Sequence, residues 1–304
     1  MLPYRRLFRG ATADDLLLMH FGLGDESYDR LTALPARQAL IYHNITPPEF
    51  FDGLNPHAAH HARKGRAQLR ALAKRIPFAI GVSEYNRREL ESAGFAKTAA
   101  VPILVNWARY DVAPDPEVLA RWRGPATNLL FVGRIAPNKR QDQLVRMLAY
   151  HRRCIDPEAR LLLVGSFRDQ PQYHARVREL ARELGLEGAV HFAGGVSDAA
   201  LAAYYAVASV FVSLSEHEGF AMPVLEAFRF GVPVVARDAG AVAETAGGAA
   251  IVLKERDLAM YAEAAALIRE RESFRTDLIE AGKRRVADFA HDRVAAKLRE
   301  TLAL

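Results

Sequence analysis

Glu218 and Glu226 stand eight positions apart in the run SEHEGFAMPVLE, residues 215–226, with Gly219, Phe220 and Pro223 between them. Proline suits the first position of a helix, where its missing N–H would have no partner. Pro223 therefore predicts a helix opening, with Glu226 one turn inside and Glu218 on the loop before it. The two carboxylates then face one cleft. Gly219 lets the backbone approach a ligand closely, and the free N–H groups of a helix start favour an anion such as a diphosphate. Taken alone, two glutamates at this spacing describe only a solvated loop and a capped surface helix.

The elements that must position these groups read as a parallel-sheet α/β fold, because short aliphatic or β-branched runs alternate with helical patterns from end to end. In the C-terminal half the runs predict strands near Asn128–Val132, Arg160–Val164, Ala189–Phe192, Val210–Ser213, Val232–Ala236 and Ala250–Leu253. Helical patterns fall between them, near Arg140–Arg152, Tyr173–Leu184, Asp198–Tyr205, Pro223–Phe230 and Asp257–Arg269. That is a whole doubly wound domain, and ligands of such sheets bind beyond the carboxyl ends of the strands. Arg109–Pro125, punctuated by Pro114, Pro116, Gly124 and Pro125, reads as a connection between domains. Before it only four strands are expected, near Leu16–Met19, Ala39–His43, Phe78–Val82 and Ala100–Leu104. A doubly wound domain usually has about six. Residues 1–122 are read as a partial first domain that begins partway through, 123–289 as the second domain, and 290–304 as a helix crossing back to the first. The exposed sheet edge of a partial domain would invite self-association or a partner chain.

Composition bounds the function classes. With 304 residues, half of them hydrophobic, the chain can bury two moderate cores. A single cysteine, Cys154, excludes an internal disulfide and fits a reducing compartment; its ordinary role would be that of a small buried hydrophobe. No apolar run reaches the roughly 20 residues that span a bilayer, and the opening MLPYRRLFRGATADD lacks a signal-peptide core. Cytoplasmic residence is the expectation. A formal charge of +5, with both signs mixed along the chain, does not point to nucleic acid. Residues 60–75, HHARKGRAQLRALAKR, carry six basic side chains and no acid. Such a helix could rest on an anionic membrane surface as a peripheral contact, although a solvated face is the plainer reading.

The Glu218–Glu226 stretch, continued by Glu226-Ala-Phe-Arg-Phe-Gly231-Val-Pro233-Val-Val, resembles the Glu-x7-Glu signature of retaining family 4 (group 1) glycosyltransferases. The resemblance covers nearly all of 128–289 and, more loosely, 20–106. It implies the GT-B fold, two Rossmann-like domains facing a cleft, and a nucleoside-diphosphate sugar held mainly by the second. Leu129-Leu-Phe-Val-Gly133-Arg134-Ile-Ala-Pro-Asn-Lys139 looks like the family's phosphate-gripping segment. Gly133 would open room after a strand, and the resemblance assigns Arg134 and Lys139 to the donor phosphates, as cations suited to a diphosphate leaving group. By the same resemblance Glu226 takes the ribose hydroxyls through open lone pairs, Glu218 takes hydroxyls of the donor sugar, and backbone around Gly219 and Phe220 completes the contacts.

Phe192-Ala-Gly194-Gly195-Val196 is similar to the segment whose backbone faces the base, although an ordinary glycine turn explains it equally well. In Leu40-Ile-Tyr-His43, the histidine ending a strand matches one that contacts the donor sugar; His20, ending the previous strand, is a weaker counterpart. Ser83 in Gly81-Val-Ser83 could simply cap the helix after it.

The implied chemistry is retaining transfer to a hydroxyl of a glycan or lipid-linked glycan, by a front-face route in which the departing diphosphate helps deprotonate the acceptor. No Asp-x-Asp stands in a suitable loop, so neither metal nor organic cofactor is expected. An NAD-dependent oxidoreductase would need Gly-x-Gly-x-x-Gly after an early strand, which is missing. A glycan phosphorylase would need a lysine-bound pyridoxal phosphate, for which the sequence gives no reason. The serious alternative is a non-catalytic or incomplete sugar-nucleotide-binding protein that needs a missing segment or a partner chain.

Overall fold

A computed structural model describes residues 7–303 and divides them into two α/β units. The basic opening residues 1–6, part of the stretch read for a signal peptide, lie outside the described residues. One unit comprises Met1–Ile103 with Ala296–Leu304, and the other Leu104–Ala295. Each contains one parallel sheet, as a Rossmann-like unit requires.

The first unit's sheet has the order β1-β2-β3-β4, formed by Leu16–Phe21, Arg37–Tyr42, Ala79–Gly81 and Thr98–Ala100. Phe21, Leu40, Tyr42, Leu72, Ile76 and Leu90 fill its core. The fourth strand lies ahead of the expected Ala100–Leu104, because Thr98, Ala99 and Ala100 pair with Ala79, Ile80 and Gly81 and the sheet pairing ends there. The apolar run that follows, from Val101 to Val105, belongs to no strand. The helix Pro56–Leu72 is capped by the Asn55 side chain, which accepts from the Ala58 N–H. Four of the six basic residues in 60–75 are paired with acids from other elements: Arg63 with Asp52, Lys64 with Glu26, Arg66 with Glu89 and Arg75 with Asp29. The charge that a bare reading of the sequence offers to a membrane is thus largely compensated in place.

The second unit's sheet runs β10-β9-β8-β5-β6-β7, with β5 Asn128–Val132, β6 Arg160–Val164, β7 Val190–Gly194, β8 Val210–Ser213, β9 Val234–Arg237 and β10 Ile251–Leu253. Its central strands are covered on both faces by helices and read as unbroken apolar runs for that reason. Leu129, Leu130, Phe131, Leu161, Leu162, Leu163, Val210, Phe211 and Val212 are all buried. Fully burying one such side chain stabilises the fold by roughly 1.5–3 kcal/mol.

The boundary between units falls after Ile103 instead of at the expected residue 122. The intervening segment contains its own helix, Pro116–Trp122, and packs on the second unit: Arg109 pairs with Asp198, Asp111 with Arg229, and the Trp107 indole donates to the Phe289 carbonyl. At the far end the last helix, His291–Leu302, is shared, and only its portion from Ala296 groups with the first unit. Cys154 is exposed, contrary to expectation. It closes the helix Gln141–Cys154, beyond His151, the last residue of that helix to be buried. Among the described residues no helix is long and apolar enough to cross a membrane.

Candidate functional site

Two loops at the carboxyl ends of the neighbouring strands β5 and β8 are stitched together. Between them the Asn138 side chain, 2% exposed, donates to the His217 carbonyl at 3.3 Å, and the Glu216 N–H donates to the Asn138 carbonyl at 2.8 Å. This stitching sets Lys139 against Glu218, Nζ to Oε1, at 2.7 Å, with both side chains largely buried. Lys139, which the resemblance assigns to the donor phosphates, is thus engaged with the first signature carboxylate, a partnership the sequence reading did not foresee. Arg134 differs: its side chain is 56% exposed and its nearest acid, Asp169, lies 3.7 Å away.

Close backbone approach fixes both loops. A Cβ on Gly165 would lie 2.0 Å from the Gly133 carbonyl oxygen, so the turn after β5 requires glycine at the end of β6. A Cβ on Gly240, whose φ is +60°, would lie 2.2 Å from the Glu218 carbonyl oxygen, which also accepts from the Ala241 N–H at 2.9 Å. Asp238-Ala-Gly240, to which the sequence alone gave no role, thus buttresses the Glu218 loop. Phe220 is buried, its ring edge-on to Phe289, and its carbonyl accepts from the Thr245 hydroxyl.

Beyond this loop Ala221 adopts a left-handed φ of +62° and the helix Met222–Arg229 begins. Met222 takes its first position and Pro223 the second, because the chain enters through Ala221. Glu226 sits inside this helix and is only 8% exposed. The Tyr110 hydroxyl donates to Oε1 at 2.6 Å and the Tyr205 hydroxyl to Oε2 at 2.8 Å. Each carboxylate oxygen thus already accepts one phenol, a partnership that the sequence did not announce. Burial first, and then the Glu226 charge, pushes both tyrosines far above their ordinary pKa, so both remain protonated donors.

A second charged cluster underlies the β8 loop. Arg237, 5% exposed, donates to the Leu214 carbonyl, to Glu216 and to Gln143, and Arg140 lies 3.7 Å from the same Glu216. Neither arginine was singled out from the sequence, and only their proximity to the signature could have drawn attention to them. Val196 follows β7 and is partly exposed, two residues beyond Gly194 with its φ of +71°.

In the first unit, His43 directly follows β2 and its Nε2 lies 2.7 Å from Nδ1 of His20, at the end of β1; the two rings stack at 5.0 Å. One ring must donate and the other accept, which disfavours a doubly charged pair. Burial, and secondarily His20, lowers the His43 pKa. Ser83 caps the helix Glu84–Ala93 by accepting from the Asn86 N–H.

The family described as glycosyl transferases group 1 matches residues 121–285, more than half of the 304 residues. The chain belongs to that family. Both signature glutamates, Gly133, Arg134 and Lys139 fall inside the stretch matched to the group 1 glycosyl transferases. The GDP-mannose-dependent alpha-(1-6)-phosphatidylinositol monomannoside mannosyltransferase of Mycobacterium tuberculosis is 31% identical over 253 residues, which cover 78% of this chain and 64% of the relative. The D-inositol 3-phosphate glycosyltransferase of Kribbella flavida is 32% identical over 67% of this chain and 50% of its own length. The chain thus spans less than two thirds of these curated relatives. Among solved structures, sucrose-phosphate synthase from Thermosynechococcus elongatus superposes with a TM-score of 0.78 at 21% identity, covering 100% of this chain and 80% of that one. Anabaena HepE in complex with UDP superposes with a TM-score of 0.76 at 20% identity, covering 99% and 81%. These likenesses establish the fold.

Proposed function

We propose that this chain is a retaining family 4 glycosyltransferase that moves a sugar from a nucleoside-diphosphate sugar to a hydroxyl of a glycan or lipid-linked acceptor. The observation that carries the reading is the Lys139–Glu218 pair, held at 2.7 Å between the β5 and β8 loops. At rest the ammonium and the carboxylate satisfy one another. When a donor enters, the diphosphate can take the Lys139 charge and sugar hydroxyls can take Glu218, so each partner exchanges one charged hydrogen bond for another. A hydrogen bond to a charged group contributes about 1.5–3 kcal/mol, and the exchange leaves neither group bare.

A carboxylate engaged in this way is poorly placed to act as a free nucleophile. This favours the front-face route over double displacement through an enzyme-bound sugar. In that route the departing diphosphate helps deprotonate the acceptor hydroxyl while Lys139 and Arg134 stabilise its growing charge, and the reading needs neither a metal nor an organic cofactor. Removing one such donor typically lowers kcat by about 10²–10³. His43 is assigned to the donor sugar, Glu226 to the ribose, and backbone near Gly133, Gly219, Phe220 and Val196 to the remaining donor contacts. GDP-mannose is the first donor to try and an inositol-bearing lipid the first acceptor, since these are the words in the mycobacterial relative's name. A reducing, cytoplasmic site of action suits the single exposed thiol.

The test is the anomeric configuration of the product, read by proton NMR after incubating the purified chain with GDP-mannose or UDP-glucose and such an acceptor. An α-linked product from an α-linked donor is expected. An inverted linkage, or a donor left unconsumed with every acceptor tried, would overturn the reading.

A further inference from the structure

The segment Trp107–Asp111 is fastened to its own unit by four side chains in succession, each to a different place. Trp107 reaches the Phe289 carbonyl, Arg109 pairs with Asp198, Tyr110 donates to Glu226 and Asp111 pairs with Arg229. Three of these contacts are with exposed or backbone groups and can be explained as packing. The fourth is different in kind. Tyr110 is 7% exposed, its ring lies edge-on to Phe230 at 5.9 Å with the Arg109 guanidinium over it at 5.3 Å, and its hydroxyl reaches a carboxylate oxygen inside the signature.

An ionised carboxylate offers about four acceptor positions, two on each oxygen. Among the described residues Tyr110 takes one on Oε1 and Tyr205 one on Oε2, so each oxygen has a second acceptor position to offer. Two such positions on a carboxylate whose rotation is locked by two phenols match a vicinal diol. We propose that Tyr110 is a positioning residue for ribose recognition, its hydroxyl orienting Glu226 so that the remaining acceptor position on each oxygen meets the 2′ and 3′ hydroxyls of the nucleotide. This rests on the reading of Glu226 as the ribose-binding group. A consequence is that nucleotide binding and the order of the Trp107–Asp111 segment are linked, since both depend on the same carboxylate.

The experiment is calorimetric titration of the full chain with UDP and GDP and with their 2′,3′-dideoxy counterparts, in wild type, Tyr110→Phe, Glu226→Ala and the double variant. Phenylalanine keeps the ring packing, and Tyr205→Phe serves as a second variant should Tyr110→Phe fold poorly. Tyr110→Phe is expected to weaken the ribonucleotides about tenfold, because the reoriented carboxylate would lose one of its two hydrogen bonds from the ribose, while leaving the dideoxy nucleotides within twofold of wild type. In the Glu226→Ala background it should have no further effect. An equal loss for both kinds of nucleotide, or none for either, would show Tyr110 to be ordinary packing. If Glu226→Ala itself fails to narrow the gap between ribo- and dideoxynucleotides, the ribose assignment fails. If Glu226→Ala narrows that gap and Tyr110→Phe does not, only the Tyr110 inference falls.

Discussion

His43 and His20 share one hydrogen bond at 2.7 Å, and that arrangement sets what His43 can do. Its pKa lies below the ordinary 6.5, chiefly through burial, so at neutral pH the ring is uncharged and one nitrogen can accept. The direction fixes the pH dependence. Protonation becomes favourable only as pH falls through that lowered value, and an activity that needs the neutral ring should be full at pH 7 and decline on the acid side, below about pH 6.5. We expect His43→Ala to lower kcat while the affinity for free nucleotide stays within twofold of wild type, and to remove the acid limb governed by this group. Steady-state kinetics with parallel calorimetry make the check; unchanged kcat would return His43 to a purely structural role. At this scale the sequence was legible in local placement: Glu218 lies on the loop before a helix and Glu226 inside that helix, as the proline and the spacing predicted. It was silent on partnership. Tyr110 and Glu226 lie 116 positions apart, and no local pattern announces a bond that only the folded chain creates.

The strands and helices were read more completely than their ends. Asn128–Val132, Arg160–Val164 and Val210–Ser213 stand where the aliphatic runs put them, because a central parallel strand buries both faces and so leaves an unbroken apolar signature. The signature fails where apolar residues pack without pairing, as after Thr98–Ala100, where the run Val101–Val105 leaves the sheet. The close approach of the Asp238–Gly240 turn to the Glu218 loop was also invisible, since a glycine in a loop looks the same whatever it touches. Its consequence can be measured. Gly240→Ala would bring a methyl within 2.2 Å of the Glu218 carbonyl oxygen at a φ of +60°, so the loop must move. A destabilisation of about 1–3 kcal/mol is expected from the strained backbone alone, read by chemical denaturation. A more than tenfold loss of nucleotide affinity should accompany it, because Lys139 and Glu218 would lose their register. A variant as stable and as tight as wild type would mean that the buttress does not matter.

For the whole molecule, charge and composition excluded more than they specified. The mixed surface gave no case for nucleic acid, and the basic helix that suggested a membrane contact proves to be mostly paired with acids of its own unit. The two-sheet plan was legible because crossover helices and parallel strands alternate without interruption. The boundary was not, since the segment after Ile103 looks like a linker by composition yet is fastened to the second unit by its side chains. Since the matched family region and the paired Lys139 and Glu218 both lie in Leu104–Ala295, nucleotide recognition should reside there. The most direct measurement is calorimetric titration of the wild-type chain and of Lys139→Ala with GDP and UDP. Saturable binding at one site is expected for at least one nucleotide, weakened about 10- to 100-fold in the variant by loss of one charged contact to phosphate. Absence of binding by the wild type to either nucleotide, or an affinity untouched by Lys139→Ala, would contradict the assignment of this site.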